Sequence, residues 1–234
     1  MVKPDWHIGM TEEAIRQRVV QEAAKLVGVR EGSAEHKAII DAYNTRLSKL
    51  PRGYKVKYTD AWCAVTMSYI GIVLQISHII LPECSCGKMI ELYKSQGRWE
   101  ERDDYVPRPG DICMLDWDAQ KGECVGSPDH VGMVEWCDGK NVGLIDGNNG
   151  DNMVGRRTVP VEYIKTRGFC LPDYGKLVQM YTDVPADAWY HGDVLRAAEL
   201  GLMEGVGGGL FEPDRAPTRA ELAAVAVRLY DKFK

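Results

Sequence analysis

The stretch "TDAWCA" (59–64) places a cysteine directly before an apolar run, and covalent chemistry is most readily predicted here. Asp60 is the predicted N-cap of a helix, so Cys63 falls in the first helical turn. There the unpaired backbone N–H groups and the helix dipole favour the thiolate, which is the nucleophilic form of cysteine. A lone cysteine at the start of an apolar helix is usually a core residue, so this stretch alone does not establish catalysis.

A base for this nucleophile is predicted at a strand end. His130 begins the strand "HVGMVEW", where its imidazole can project into a cleft, take the proton of Cys63 and later protonate a leaving amine. In "LIDGNNGDN", Asp146 ends the next strand of the same hairpin, so Asp146 or Asn148 could hold the imidazole in the required tautomer. The composition of this second stretch also suits a simple turn.

The elements that must position these residues follow an α+β order. Thr11 and Ser33 are plausible N-caps of two helices, and a third helix carries Cys63. After "PRPGD" (107–111) the pattern changes to four short runs of β-formers, with "CDGKN" as a hairpin turn between the second and the third. The four runs are "DICMLDW", "HVGMVEWC", "NVGLIDG" and "MVGRRTV". We therefore expect helices followed by an antiparallel sheet.

Length and charge narrow the class of protein. The 234 residues suffice for one medium domain and a small second one, and turn residues near position 176 suggest a division into 1–176 and 177–234. The net charge of −5 argues against a nucleic-acid or membrane partner held by bulk electrostatics. The N-terminus has no apolar signal-peptide core, and no stretch is apolar enough to span a membrane. Synthesis in the cytoplasm is the expectation.

The cysteine pattern gives no strong metal signal. The chain has seven cysteines, an odd number that suits reduced thiols. Cys84 and Cys86 form a C-x-C pair, but this spacing differs from the usual C-x-x-C and no second pair follows. Thiols packed around a helix start are the favoured interpretation, and we predict neither a metal nor a cofactor.

Four stretches together resemble the motif set of CHAP domains, the cysteine, histidine-dependent amidohydrolases/peptidases related to NlpC/P60 proteins. They are "TDAWCA", "RPGDICMLDW", "DHVGMVEW" and "LIDGNNGDNMVGRRTV", and the resemblance covers roughly residues 10–174. It implies a papain-like fold with Cys63 as nucleophile and His130 as base. Asp146 stands where the family usually has an orienting glutamate, and Asn148 matches the asparagine of that motif. Some members of the family bind calcium through an aspartate-rich loop just before the cysteine. Only Asp60 stands there in this sequence, so we predict no calcium site.

Within this family the chain looks most like the peptidoglycan-cleaving lysins of phages and prophages of Gram-positive bacteria. The resemblance implies attack of the Cys63 thiolate on an amide of a peptidoglycan stem peptide or of its bond to the glycan. The backbone N–H of Cys63 and a second donor, for which Tyr58 is a candidate, would stabilise the oxyanion. Trp62 and Trp117 are candidates for lining the substrate groove, although packing in the core would explain either tryptophan as well.

The tail from 181 to 230 resembles an S-layer homology module, through "DVP…W", "G…G…F.P" and "TRAE" in that order. The resemblance implies non-covalent binding to secondary cell-wall polymers, with Trp189 and Arg219 contributing to the contact. The pattern predicts two helices around a glycine-rich turn, with "TRAE" (Thr218 to Glu221) as a capping box. Five residues are predicted to form its core: Ala198, Leu202, Leu222, Val225 and Leu229. Such modules usually come in threes, and only one copy is present.

Two classes of function remain. The first is a peptidoglycan hydrolase, amidase or endopeptidase, with a C-terminal targeting module, released to the wall as phage endolysins are. The second is a non-catalytic wall-binding or S-layer-associated protein. The joint presence of Cys63, His130 and Asp146 favours the first class. Peptidoglycan is the expected partner, a secondary wall polymer a candidate one, and the single module could bind weakly or form a homo-oligomer.

Overall fold

A computed structural model describes residues 6–7, 10–102, 104–119, 126–178, 181–185 and 187–232 of the chain. Residues 13–176 form one compact unit, and the described residues from 177 onwards form a second. Residues 6–7 and 10–12 belong to the second unit, whereas the sequence analysis placed them in the first. His7 explains this difference, because its Nδ1 donates a hydrogen bond to the carbonyl oxygen of Leu177 at 2.8 Å.

Helices α1 to α4 precede or flank the sheet of the first unit. They span Glu12–Ala24 (α1), Ala34–Arg46 (α2), Cys63–Val73 (α3) and Cys86–Ser95 (α4). The predicted cap of α2 is confirmed, since the Ser33 hydroxyl accepts a hydrogen bond from the backbone N–H of His36 at 3.2 Å. All residues of α3 except Tyr69 and Val73 are buried, which its almost entirely apolar sequence explains.

The predicted N-cap of α3 was wrong. Trp62 occupies the N-cap position, so Cys63 is the first helical residue, and Asp60 does not cap the helix. The Asp60 carboxylate instead accepts hydrogen bonds from the backbone N–H of Lys57 and the hydroxyl of Tyr54, both at 2.8 Å. These bonds organise the turn before the helix. Cys63 therefore lies even closer to the unpaired N–H groups than predicted.

Within the described residues, six strands form one antiparallel sheet with the order β1-β6-β2-β3-β4-β5. They span Trp99–Glu100 (β1), Ile112–Leu115 (β2), His130–Cys137 (β3), Asn141–Asp146 (β4), Gly155–Pro160 (β5) and Thr166–Cys170 (β6). The four predicted strands and the β3–β4 hairpin are confirmed, and so is the α+β class. Strands β1 and β6 were not predicted. The papain-like assignment stays a prediction.

Packing around the sheet holds the site in place. The central strands are buried on both faces, with Ile112 and Met133 on one and Leu115 and Val134 on the other. Helix α3 packs against β3. A buried ion pair between Arg16 of α1 and Asp111, 2.9 Å apart, fastens the first helix to the start of β2.

The second unit is built around two further helices, His191–Glu199 (α5) and Arg219–Lys232 (α6). Its small core contains Tyr181, Val184 and Val194. The Asp183 carboxylate accepts hydrogen bonds from the backbone N–H groups of Phe211 and Glu212, at 2.8 and 2.6 Å, and so ties the glycine-rich turn to the "DVP" segment.

Helix α6 confirms one prediction and corrects another. Thr218 and Glu221 form the predicted capping box: the Thr218 hydroxyl accepts from the Glu221 N–H at 3.2 Å, and the Glu221 carboxylate from the Thr218 N–H at 2.6 Å. However, none of the residues of α6 is buried. Leu222 and Leu229, which were predicted to lie in the core, are 57% and 40% exposed. Among the described residues, no helix is long and apolar enough to cross a membrane.

Candidate active site

Strand register brings His130 and Asp146 together. Asp146 lies directly opposite Gly132 of β3 and Gly155 of β5, so neither neighbour has a side chain that would occupy the space beside the carboxylate. The imidazole of His130, two residues before Gly132, reaches across this gap on the same face of the sheet. Its Nε2 lies 2.7 Å from Oδ2 of Asp146, and both side chains are buried. The expected proximity of the two residues is confirmed.

An arginine that the sequence analysis missed completes this polar group. Arg157 of β5 donates from Nε to Oδ2 of Asp146 at 3.0 Å. Its guanidinium lies 5.0 Å from the centre of the Trp117 ring, which in turn is 5.7 Å from the imidazole of His130. The stretch "GRRTV" beside "LIDG" was the available signal, but it points to Asp146 only once the β4–β5 register is known.

Helix α3 delivers Cys63 to the other side of the imidazole. The close approach of the helix to the end of β4 requires Gly147, because a Cβ there would lie 2.2 Å from Oγ1 of Thr66. The thiol of Cys63 is buried, and its interaction with His130 contributes to the lowered pKa of the thiol. Cys63, His130 and Asp146 therefore lie in one buried cluster.

The electrostatics of this cluster favour an ion pair between the Cys63 thiolate and the His130 imidazolium. Burial disfavours the charged imidazole, but the hydrogen bonds to Asp146 and Cys63 and their charges outweigh it and raise the pKa of His130 to about 9. A hydrogen bond with Cys86, together with His130 and the backbone N–H of Ala64, holds the pKa of Cys63 well below its ordinary value despite burial. Cys63 is thus poised to be deprotonated while His130 is protonated.

Cys86 begins α4 just as Cys63 begins α3, and the two Sγ atoms are 3.7 Å apart. The interpretation of the C-x-C pair as thiols around a helix start is confirmed for Cys86. Cys84 lies apart from this contact, and its Sγ accepts from Nη2 of Arg52 at 3.3 Å. No group of three or more metal-binding side chains occurs in the described part of the chain, from which Cys124 is excluded.

An open cavity of about 490 Å³ lies beside the imidazole. It is lined by Trp117, His130, Asn148, Asn149, Gly150, Asn152 and Arg157. Trp117, a predicted groove residue, is half-buried and faces this space. Asn148 lines the cavity from a left-handed turn with φ of 54°, while Asp146 makes the bond to His130. Between these two candidates, Asp146 is the residue that orients the imidazole.

Two of the expected substrate-contacting residues are engaged in other contacts. Trp62 is completely buried and packs edge-on against the ring of His36, with ring centres 4.6 Å apart. It is a core residue and corrects the expectation of a groove residue. The hydroxyl of Tyr58 donates to Oδ1 of Asp41 at 2.8 Å, so its proton is already engaged and it does not supply the second oxyanion donor in this conformation.

The predicted wall-binding residues are both exposed. The side chain of Trp189 is 88% exposed and meets Tyr190 edge-on, with ring centres 5.4 Å apart. Arg219 is exposed at the first position of α6. Both are therefore accessible to a polymer.

Comparison with known families bears on the second unit. Residues 181–223 match the family model of the S-layer homology domain. This domain indicates association with the cell wall or cell surface. Searches of curated proteins and of solved structures returned no match to this chain. The comparisons therefore identify the module of the second unit and do not show a CHAP domain in the first.

Proposed function

We propose that the first unit is a cysteine amidohydrolase or peptidase that cleaves peptidoglycan. The observation that carries this proposal is the buried His130–Asp146 pair, which borders an open cavity through His130 and interacts with the buried Cys63. A core cysteine has no need of a buried histidine–aspartate pair, and burying such a pair without function is costly. The resemblance to CHAP domains points to the same three residues.

The geometry supports a two-step acyl transfer. The Cys63 thiolate attacks an amide carbonyl, and the backbone N–H of Cys63, at the first position of α3, is the proposed donor to the oxyanion. The protonated His130, held by Asp146, then gives its proton to the leaving amine. A water molecule activated by the neutral imidazole hydrolyses the thioester and restores the thiolate. No metal or cofactor takes part in this scheme.

The second unit supports peptidoglycan as the source of the amide. Its S-layer homology domain supports association with the cell wall, where stem-peptide and cross-bridge amides and the bond to muramic acid are the abundant amides. We infer that Trp189 and Arg219 contact a secondary wall polymer. The exposed apolar residues of α6 favour a module that also associates with a second copy.

The proposal is tested with purified sacculi of a Gram-positive bacterium. Wild type and His130→Ala are incubated with sacculi, and mass spectrometry identifies the new ends of the released fragments. New L-alanine amino ends with intact glycan, absent with His130→Ala, would show an amidase, and amino ends elsewhere in the peptide an endopeptidase. If neither protein released fragments but both sedimented with the sacculi, the non-catalytic wall-binding function would replace the hydrolase.

The role of the second unit is tested in the same assay. Trp189→Ala is expected to leave the cleavage of solubilised muropeptides unchanged and to lower the fraction of protein that sediments with sacculi. Ile164→Ala, which removes a half-exposed apolar residue from the first unit, serves as the matched control. Equal sedimentation of Trp189→Ala and wild type would remove Trp189 from the proposed contact.

A further inference from the structure

Cys86 has no role in the mechanism described so far, yet it touches the reacting atom. Its Sγ lies 3.7 Å from Sγ of Cys63, within the range of a sulfur hydrogen bond. Each cysteine is the first residue of its helix, so the N-termini of α3 and α4 meet at the two sulfur atoms. Two helix starts directed at one pair of sulfurs favour a single negative charge between them.

The surroundings decide which sulfur carries that charge. Cys63 also contacts His130, whose positive charge favours the thiolate there. The hydrogen bond to Cys63, burial and the negative charge of Cys63 all raise the pKa of Cys86 above its ordinary value. Cys86 therefore keeps its proton under the conditions in which Cys63 has lost its own.

We propose that Cys86 is a positioning residue of the site, whose thiol donates a hydrogen bond to the Cys63 thiolate and holds that sulfur at the start of α3 until it attacks. The proton stays on Cys86 throughout, and no bond between the two sulfurs is formed. When Cys63 becomes a thioester, its negative charge disappears and the hydrogen bond from Cys86 weakens. The role in catalysis rests on the proposed function, whereas the hydrogen bond itself does not.

Because the hydrogen bond does not rest on the proposed function, it can be tested without peptidoglycan. The rate of alkylation of Cys63 by iodoacetamide is measured against pH in the full chain. Cleavage after Trp62 and Tyr69 releases the peptide 63–69, in which Cys63 is the one cysteine, so mass spectrometry reports this thiol separately from the others. The variants are Cys86→Ala, which removes the donor, and Cys86→Ser, which retains one. Cys137→Ala, at the far end of β3 from His130, is the matched control.

In Cys86→Ala the alkylation profile is expected to shift to higher pH, and the rate on the acidic side to fall roughly tenfold, as for the loss of one hydrogen bond to a charged group. Cys86→Ser should recover most of the wild-type rate, and Cys137→Ala should match wild type. If Cys86→Ala fails to fold because of the space it leaves, Cys86→Val, which also lacks a donor but leaves no cavity, takes its place.

Two results would overturn the proposal. One is an unchanged profile in the variant that lacks the donor. The other is an equal shift in the serine and alanine variants, which would mean that Cys86 acts through packing. A shifted profile in a protein that cleaves no sacculi would leave the hydrogen bond standing and refute the hydrolase instead.

Discussion

The apolar helices of the two units differ in how deeply they are buried. In the first unit, α3 is enclosed on nearly all sides, and Cys63 at its start is buried with it. In the second unit, no residue of α6 is buried, and Leu222 and Val227 are 57% and 59% exposed. An enclosed unit can hold buried polar side chains in a fixed geometry, where their hydrogen bonds are strong. A unit with exposed apolar side chains instead offers a surface to a partner.

This difference between the two units predicts that a substitution in the first unit can abolish catalysis without changing wall binding. Asp146→Ala should reduce the release of amino groups from sacculi by about 10²- to 10⁴-fold, because His130 loses the carboxylate that orients it. Sedimentation with sacculi should be unaffected, since it depends on the second unit. Both are measured on the same preparation. Asp146→Asn is the matched variant, and a wild-type rate in Asp146→Ala would exclude Asp146 from the site.

Breaking the buried ion pair of Arg16 and Asp111 should destabilise the first unit alone. Arg16→Met leaves the buried Asp111 carboxylate without its cation, which costs about 3–5 kcal/mol. The midpoint of urea unfolding, followed by tryptophan fluorescence, should fall accordingly. Arg18→Met is the control on the same helix, since Arg18 lies 4.0 Å from Glu22 at the surface and such pairs contribute at most about 1 kcal/mol. Equal effects of both substitutions would contradict the assigned role of the buried pair.

The pH dependence of cleavage reports the ion pair of the first unit. The pKa of His130 is raised to about 9, so the imidazolium is present below that pH and is lost above it. Cleavage should therefore fall about tenfold per pH unit above roughly pH 9, because the leaving amine is no longer protonated. The lowered pKa of Cys63 should keep the rate high well into the acidic range. Asp146→Asn should move the alkaline limb to lower pH, and an unmoved limb would mean that another group titrates.

The smallest expected effect concerns the second unit. Thr218→Ala removes the hydroxyl of the capping box and should speed amide hydrogen exchange in the first turn of α6 roughly three- to tenfold. Thr218→Ser keeps a hydroxyl and should exchange as wild type does. Cleavage of solubilised muropeptides should not change. Accelerated exchange in α3 as well would show that the two units are not independently stable.

Local patterns predicted much of the fold and part of the site. The β-formers between turn residues located β2 to β5, and the hydroxyls of Ser33 and Thr218 marked helix starts because a cap acts within four residues. The pairing of His130 with Asp146 was predictable because a hairpin fixes which residues face each other. Strand β1 was not predicted because it has only two residues. Strand β6 was not predicted because it pairs with β2, which is distant from it in the sequence.

Other features depend on contacts that no local pattern encodes. Arg157 reaches Asp146 only through the β4–β5 register. Cys86 meets Cys63, which lies 23 residues earlier in the chain, because the starts of two helices converge. The sequence favours core packing of Trp62 over a groove position only weakly, and its complete burial is settled by packing against distant residues. The apolar spacing in α6 predicts one apolar face and does not say whether the chain itself covers that face.

The central claim is that Cys63 is the attacking atom, and one measurement tests it directly. Initial rates of amino-group release from sacculi are compared for wild type, Cys63→Ala and Cys137→Ala, with circular dichroism to verify folding. The account predicts that Cys63→Ala loses all release above background while Cys137→Ala retains the wild-type rate. Equal release by Cys63→Ala and wild type would make Cys63 a core thiol and contradict the proposed site.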